Sequence, residues 1–225
     1  MYCGASIFEE HLFGYVITVD VGGGVGRDDS VIAVSKVWGE AQWGDRARRV
    51  EVADIPLCKN KDDITELFAK IHECILKYPN ATLVVDDNGA GKGLGQLLKK
   101  NGIWYMPVHW GGACFNNDNR KEYVNKRAQA YVGLHRAVEQ ENFKICQLHN
   151  KEKVLKEFSG IQYSVGEDSR FKIMPVSEMR EMGHDAPDIV DLFAQVFLEN
   201  TAYSLELNTP DFPSTANNSH SDHLG

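Results

Sequence analysis

Apolar and β-branched residues form short runs separated by glycine-rich or polar turns over the first 60 residues. Residues 15–20 (YVITVD) and 30–39 (SVIAVSKVWG) each predict a strand, and residues 48–57 (RRVEVADIPL) alternate as a third strand would. The first turn between them, residues 21–29, is VGGGVGRDD. The pattern therefore predicts a meander of three strands joined by turns.

Helical spacing replaces this alternation after residue 60. In residues 61–77 apolar side chains recur at intervals of three and four residues, which predicts a helix. Residues 81–91 (ATLVVDDNGAG) then predict a short buried strand that ends in acids and a glycine turn. The remaining predicted elements are a helix at 93–102 that Gly102 stops, a strand at 103–110, a loop at 111–119, a long helix at 121–141, a shorter helix at 150–158, a hairpin within 160–177 and a last helix, 188–200, opened by Pro187.

Strands thus come first as a meander and then alternate with helices. This order predicts a mixed α/β sheet with helices on both faces. It fits the ribonuclease-H-like topology, in which three antiparallel strands precede helix-connected parallel strands. We expect residues 1–206 to form one domain, and the polar residues 207–225, rich in Pro, Ser and Asn, to be a disordered tail.

Composition narrows the class of protein. The 225 residues are 43% hydrophobic, which is enough for one domain with a sizeable core. We expect no membrane span, because no run of about 18 apolar residues occurs, and no secretory signal, because the N-terminus lacks a basic start before an apolar stretch. Five scattered cysteines without a CxxC pair favour free thiols over a zinc site or disulfides.

The net charge of −8 disfavours a protein that coats nucleic acid, because phosphate neutralisation needs a basic surface. It does not exclude a nuclease, since metal-binding carboxylates are acidic and bound divalent ions reverse the local field. Local basic patches occur at residues 46–49 and 120–127.

Three acids end or begin predicted elements far apart in the chain. Asp20 ends the first strand, Asp86 ends the strand before the Asn-Gly turn, and Asp188 follows Pro187 at the start of the last helix. Taken singly, each has an ordinary structural explanation as a turn or helix-capping residue. Together they match what phosphodiester hydrolysis needs, which is carboxylates that hold Mg²⁺ or Mn²⁺, with two ions expected.

The last helix divides into two faces. At about 100° per residue, Ile189 and Phe193 fall on one side, and Asp188, Asp191 and Gln195 fall on the other. Both acids can therefore face a site while the apolar side packs on the sheet. A solvated face is the structural alternative for Asp191.

Four segments, in this order, resemble four blocks of the nuclease domain of tailed-phage terminase large subunits. They are residues 16–32 (VITVDVGGGVGRDDSVI), 83–98 (LVVDDNGAGKGLGQLL), 123–138 (YVNKRAQAYVGLHRAV) and 183–198 (GHDAPDIVDLFAQVFL). The resemblance covers about residues 13–200. It departs from the family pattern at Ala186, where the family has Ser, and at Ser177–Glu178, where the family often has a Lys.

The resemblance implies a metal-dependent endonuclease that cuts double-stranded DNA with little sequence specificity during genome packaging. It assigns Asp20, Asp86 and Asp188 as catalytic metal-binding acids. It adds Asp28 and Asp191 as further acids of the metal site, with Asp29 as a neighbour of Asp28 that could substitute for it.

The resemblance also implies partners. We expect double-stranded DNA, the terminase ATPase domain, the small terminase subunit and the portal, in the cytoplasm of a bacterial host, with the isolated domain a monomer. No Walker A string, GxxxxGK[ST], occurs, so the packaging motor is expected to lie outside these residues. The expected phosphate contacts are Lys92, Asn125, Lys126 and Arg127, with a solvated basic turn as the structural alternative for the last three.

Other interpretations stay open at this point. The same fold is compatible with a junction resolvase or a ribonuclease H, and also with a docking domain that is inactive in isolation. A dinucleotide site is disfavoured, because the glycine-rich turn does not have GxGxxG spacing followed by a helix.

Overall fold

The computed structural model describes residues 12–23, 28–40, 44–60, 63–146 and 149–205. The strands in these parts of the chain are β1 (Gly14–Asp20), β2 (Ser30–Trp38), β3 (Arg49–Lys59), β4 (Thr82–Asp86), β5 (Met106–Val108), β6 (Phe143–Ile145), β7 (Tyr163–Val165) and β8 (Phe171–Ile173). The α-helices are α1 (Ile64–Lys77), α2 (Gly91–Lys100), α3 (Asn117–Glu122), α4 (Lys126–Glu139), α5 (Lys151–Gly160), α6 (Val176–Glu181) and α7 (Asp188–Gln195). The predicted tail at 207–225, the boundary at residue 206 and residues 24–27 of the glycine-rich turn lie outside the described residues.

Six strands form one mixed sheet in the order β5-β4-β1-β2-β3-β6. β1, β2 and β3 pair antiparallel in succession, whereas β4 lies parallel to β1 on the other side. Val19 pairs with Val85, so the carboxyl ends of β1 and β4 lie side by side. The sheet therefore brings Asp20 and Asp86, each one residue further along, to the same edge.

Both faces of the sheet are covered, as the sequence predicts. Alternate residues of a strand point to opposite faces, and Ile17 packs with α1 and α2 side chains such as Ile71 and Leu94. Val16 packs on the opposite face, in a cluster that includes Leu134 of α4 and Phe193 of α7. The mixed α/β sheet with helices on both faces is thus confirmed. No helix in the described ranges is long and apolar enough to cross a membrane.

The long helix predicted at 121–141 is confirmed only over Lys126–Glu139. The chain instead forms α3, an extended break at Tyr123, and then α4. Asn125 begins α4 because its side chain accepts a hydrogen bond from Ala128 N at 2.9 Å, the arrangement that makes Asn a preferred helix cap. The predicted loop at 111–119 accordingly contains the start of α3.

Three further differences concern short elements. β6 was not predicted, because three residues (FKI) are too short to show a period, and it is fixed by parallel pairing with β3. α6 begins at Val176, inside the end of the segment predicted as a hairpin, and the hairpin strands β7 and β8 are confirmed. The last helix ends at Gln195, five residues earlier than predicted.

Candidate metal centre

Four aspartates meet at the edge of the sheet. Asp20 comes from β1, Asp86 from β4, and Asp188 and Asp191 from the first turn of α7. Burial raises the pKa of Asp20 well above its ordinary value, and the carboxylates of Asp191, Asp86 and Asp188 raise it further. The acids predicted from distant parts of the chain therefore do lie close enough to repel one another.

Asp86 is held by the turn that follows it. Its Oδ1 accepts hydrogen bonds from Asn88 N at 3.0 Å and Asn88 Nδ2 at 2.7 Å. Burial raises the pKa of Asp86, and the two Asn88 bonds oppose that rise. The indole N–H of Trp110 lies toward Asp86 and lowers the pKa of that acid. Its position does not have the geometry of a regular hydrogen bond.

Asp188 lies against a cation and a backbone amide. Its Oδ2 accepts a hydrogen bond from Asp29 N at 2.9 Å and lies 3.4 Å from Lys153 Nζ. The same ammonium group lies 2.5 Å from Asp29 Oδ2. Burial nevertheless raises the pKa of Asp188 to about 6. No role for Lys153 was predicted from the sequence, where it is one of several charged residues on an amphipathic helix.

Asp191 is mostly shielded from solvent, which excludes the solvated face considered for it. Its side chain is 14% exposed. Its Oδ1 accepts a hydrogen bond from the Tyr131 hydroxyl and lies 3.6 Å from Arg127 Nη2. Burial raises the pKa of Asp191, while the Arg127 charge and the Tyr131 hydrogen bond oppose that rise.

Three of the four carboxylates share one arrangement. In Asp86, Asp188 and Asp191, protein donors lie on one oxygen, and no donor among the described residues bonds to the other. Ligating carboxylates in proteins are typically held in this way by an outer partner. Buried, mutually repelling carboxylates with an open oxygen fit a hard divalent cation, which prefers oxygen ligands.

The carboxylates are not already gathered around one point. Within the described residues, no group of three or more His, Cys, Asp and Glu side chains has the spacing of a finished metal site. Each carboxylate lies against its own protein donor instead: Asn88 for Asp86, Lys153 for Asp188, and Tyr131 for Asp191. Binding of an ion therefore requires these side chains to shift toward it.

A fifth acid holds the helix that carries Asp188 and Asp191. Glu157 of α5 is 4% exposed, and its Oε2 accepts hydrogen bonds from Ile189 N at 2.9 Å and Val190 N at 3.0 Å. Burial raises the pKa of Glu157 to about 7. No role for Glu157 was predicted from the sequence. Its position three residues after the buried Val154, on the apolar side of α5, was the available signal.

Asp28 and Asp29 lie next to the four aspartates, and the charge of Asp28 raises the pKa of both Asp188 and Asp191. Asp28 is paired with Arg180, and Asp29 with Lys153. Both acids line a cleft of about 850 Å³ that also reaches Asp188. His184 lines the same cleft.

The four predicted phosphate contacts have different surroundings. Lys92 is exposed in the first turn of α2. Asn125 caps α4, and Lys126 is 9% exposed with its ammonium group 3.9 Å from the centre of the Phe115 ring. The Arg127 side chain is 13% exposed, and its Nε and Nη2 form no hydrogen bonds within the described structure. Of these four residues, Lys92 is therefore the one whose side chain is exposed to solvent.

Comparison with known proteins gives related sequences and folds, although no protein-family model matches. The chain is 28% identical over 194 residues to "Probable terminase, large subunit" of Enterobacteria phage P7; the match covers 84% of this chain and 37% of that protein. The chain thus spans little more than a third of this relative.

Solved structures of nuclease domains match the fold. One is the nuclease domain of the large terminase subunit gp2 of bacterial virus Sf6, with a TM-score of 0.58, 18% identity, and coverage of 82% of this chain and 87% of that one. Another is the large terminase nuclease of the thermophilic phage G20c, with a TM-score of 0.54, 18% identity, and coverage of 82% and 80%. The chain is therefore a sequence relative of a phage terminase large subunit and has the ribonuclease-H-like α/β fold of phage large-terminase nuclease domains.

Proposed function

We propose that this chain is a divalent-metal-dependent endonuclease that cuts double-stranded DNA with little sequence specificity during phage genome packaging. The observation that carries the proposal is the cluster of Asp20, Asp86, Asp188 and Asp191 at one sheet edge, where burial and mutual repulsion raise the pKa of Asp20. Such repulsion is costly unless a cation offsets it. The similarity to terminase nuclease domains supports the same activity.

Asp20, Asp86 and Asp188 would hold two Mg²⁺ or Mn²⁺ ions, with Asp28 and Asp191 as outer acids of the same site. Structures of the Sf6 domain contain manganese or calcium, and structures of the G20c domain contain magnesium or cobalt. Divalent ions in such sites acidify a water molecule and stabilise the leaving oxygen.

The protein's own part is to hold the carboxylates and the DNA. Asn88 and Tyr131 orient two of the acids. Lys92 would contact a phosphate from the exposed start of α2. Arg127, whose Nη2 lies 3.6 Å from Asp191 Oδ1, would hold that acid, and Asn125 and Lys126 would shape the loop beside it.

The proposed partners are those that the resemblance to terminase large subunits implies, and this chain spans little more than a third of the relative it matches. We propose that the chain works with the terminase ATPase domain, the small terminase subunit and the portal, in the cytoplasm of a bacterial host. Taken alone, the domain is proposed to be a monomer.

The direct test is incubation of supercoiled plasmid with the purified chain and Mn²⁺ or Mg²⁺, followed by gel electrophoresis. We expect nicked and linear products with metal, none with EDTA, and none from Asp20→Asn. Competition with a four-way junction and an RNA–DNA hybrid tests the substrate class, and preference for either one would contradict the proposal. Cleavage by Asp20→Asn at the wild-type rate would also overturn it.

A further inference from the structure

Two side chains of α4 reach the same oxygen of Asp191. Arg127 and Tyr131 are four residues apart, so they lie on one face of the helix. The Tyr131 hydroxyl donates a hydrogen bond to Asp191 Oδ1, and Arg127 Nη2 lies 3.6 Å from that atom. The guanidinium group also lies 5.3 Å from the centre of the Tyr131 ring. The three groups therefore form one contact network.

This network leaves Asp191 Oδ2 without a protein donor among the described residues, while Oδ1 carries both contacts. Rotation about the terminal bond of an aspartate is soft, so an unheld carboxylate would sample many orientations. The Tyr131 hydroxyl and the Arg127 charge restrict that rotation. They also partly neutralise an acid that lies close enough to Asp20 to repel it.

Core packing alone does not account for the choice of tyrosine. Tyr131 is 4% exposed and packs beside Trp110, at a ring-centroid distance of 6.3 Å. A phenylalanine would fill the ring position, whereas a buried hydroxyl needs a hydrogen-bond partner. The partner in this structure is Asp191.

We propose that Tyr131 and Arg127 are positioning residues for the divalent cation, because they hold Asp191 through Oδ1 and leave Oδ2 available as a ligand. The inference rests on the proposed function, in which Asp191 belongs to the metal site. Outer partners of metal ligands typically change metal affinity by about 10- to 100-fold when they are removed.

The test is titration of the purified chain with MnCl₂ in an isothermal calorimeter, without DNA. We expect Tyr131→Phe to weaken Mn²⁺ binding by about 10- to 100-fold. Thermal unfolding with and without Mn²⁺ separates this effect from packing, because a purely structural role would lower the metal-free Tm and leave Mn²⁺ affinity unchanged. Affinity within twofold of wild type would overturn the inference.

Further variants test whether a loss of Mn²⁺ affinity comes from the contacts with Asp191. Tyr163→Phe removes the hydroxyl of an exposed tyrosine and should bind Mn²⁺ like wild type. Arg127→Lys keeps the charge but loses the planar fork, so it should weaken binding less than Arg127→Met. In an Asp191→Asn background, Tyr131→Phe should have little additional effect, and a full additional loss would show that Tyr131 acts elsewhere.

Different results would overturn the proposed function and the positioning role of Tyr131 and Arg127. A wild-type chain that binds no Mn²⁺ would overturn both the proposed metal-dependent function and this inference. Binding by wild type that Asp191→Asn weakens and Tyr131→Phe does not would overturn the inference alone.

Discussion

Glu157 caps the helix that carries two of the candidate metal ligands, because its carboxylate accepts a hydrogen bond from Ile189 N at 2.9 Å. The same oxygen accepts a second hydrogen bond, from Val190 N. The first N–H groups of a helix have no partner within the helix. A buried acid on α5 therefore supplies the acceptor oxygen that a helix-capping residue would usually supply. The same contact couples α5 to the position of Asp188.

The first prediction concerns this cap. Glu157→Ala leaves two buried N–H groups without a partner and should lower the free energy of unfolding by about 1–3 kcal/mol per unsatisfied group. Glu157→Gln keeps an acceptor oxygen and should lose less. Urea unfolding of both variants measures the difference. Glu152→Ala on the exposed side of the same helix is the control, and an equal loss there would contradict the assignment.

A second prediction follows from the repulsion around Asp20. Because burial and the neighbouring carboxylates raise the pKa of Asp20, its folded state holds the proton more tightly than its unfolded state does. The stability contributed by this group is therefore present at low pH and is lost as the pH rises through the raised pKa. Asp20→Asn should increase the metal-free Tm near neutral pH.

The matched measurement is the change in Tm caused by Mn²⁺. Ligand binding to the folded state alone stabilises it, so Mn²⁺ should raise the Tm of wild type and raise that of Asp20→Asn much less. A lower metal-free Tm in Asp20→Asn, together with an unchanged response to Mn²⁺, would contradict the account.

A third prediction separates a surface cation from a buried one. Lys92→Ala should weaken DNA binding and reduce the slope of log affinity against log salt by about 1. Lys126→Ala should act mainly on stability, because its ammonium group lies over the Phe115 ring. Fluorescence anisotropy with a labelled duplex, in a cleavage-deficient Asp20→Asn background, measures the slopes. Lys100→Ala, exposed at the end of α2, is the control.

A fourth prediction concerns the start of α4. Asn125 caps this helix through Ala128 N, so Asn125→Ala should lower the free energy of unfolding by about 0.5–2 kcal/mol. Asn125→Ser should retain most of the stability, since serine is also a good cap. Gln140→Ala at the other end of the helix should have little effect. Equal stability of Asn125→Ala and wild type would refute the capping role.

The sequence was sufficient to predict the meander, the mixed sheet and the strand ends that carry Asp20 and Asp86. These features depend on local apolar patterns and on turn residues, which a sequence displays directly. Strand pairing then places both acids at one edge without further information.

Burial and partners could not be predicted in the same way. Lys126 and Arg127 stand in a basic stretch that indicates an exposed patch, yet both are mostly buried because α4 turns them toward Phe115 and Asp191. The roles of Lys153 and Glu157 depend on how α5 meets α7, which is a tertiary contact without a local signature. The break at Tyr123 was likewise hidden by a continuous helical pattern.

The most direct test of the central claim is a crystal of the chain soaked in Mn²⁺ and measured for anomalous scattering. The account predicts manganese peaks at the sheet edge, ligated by Asp20, Asp86 and Asp188. Manganese bound only elsewhere, or no peak at these carboxylates at saturating Mn²⁺, would contradict it.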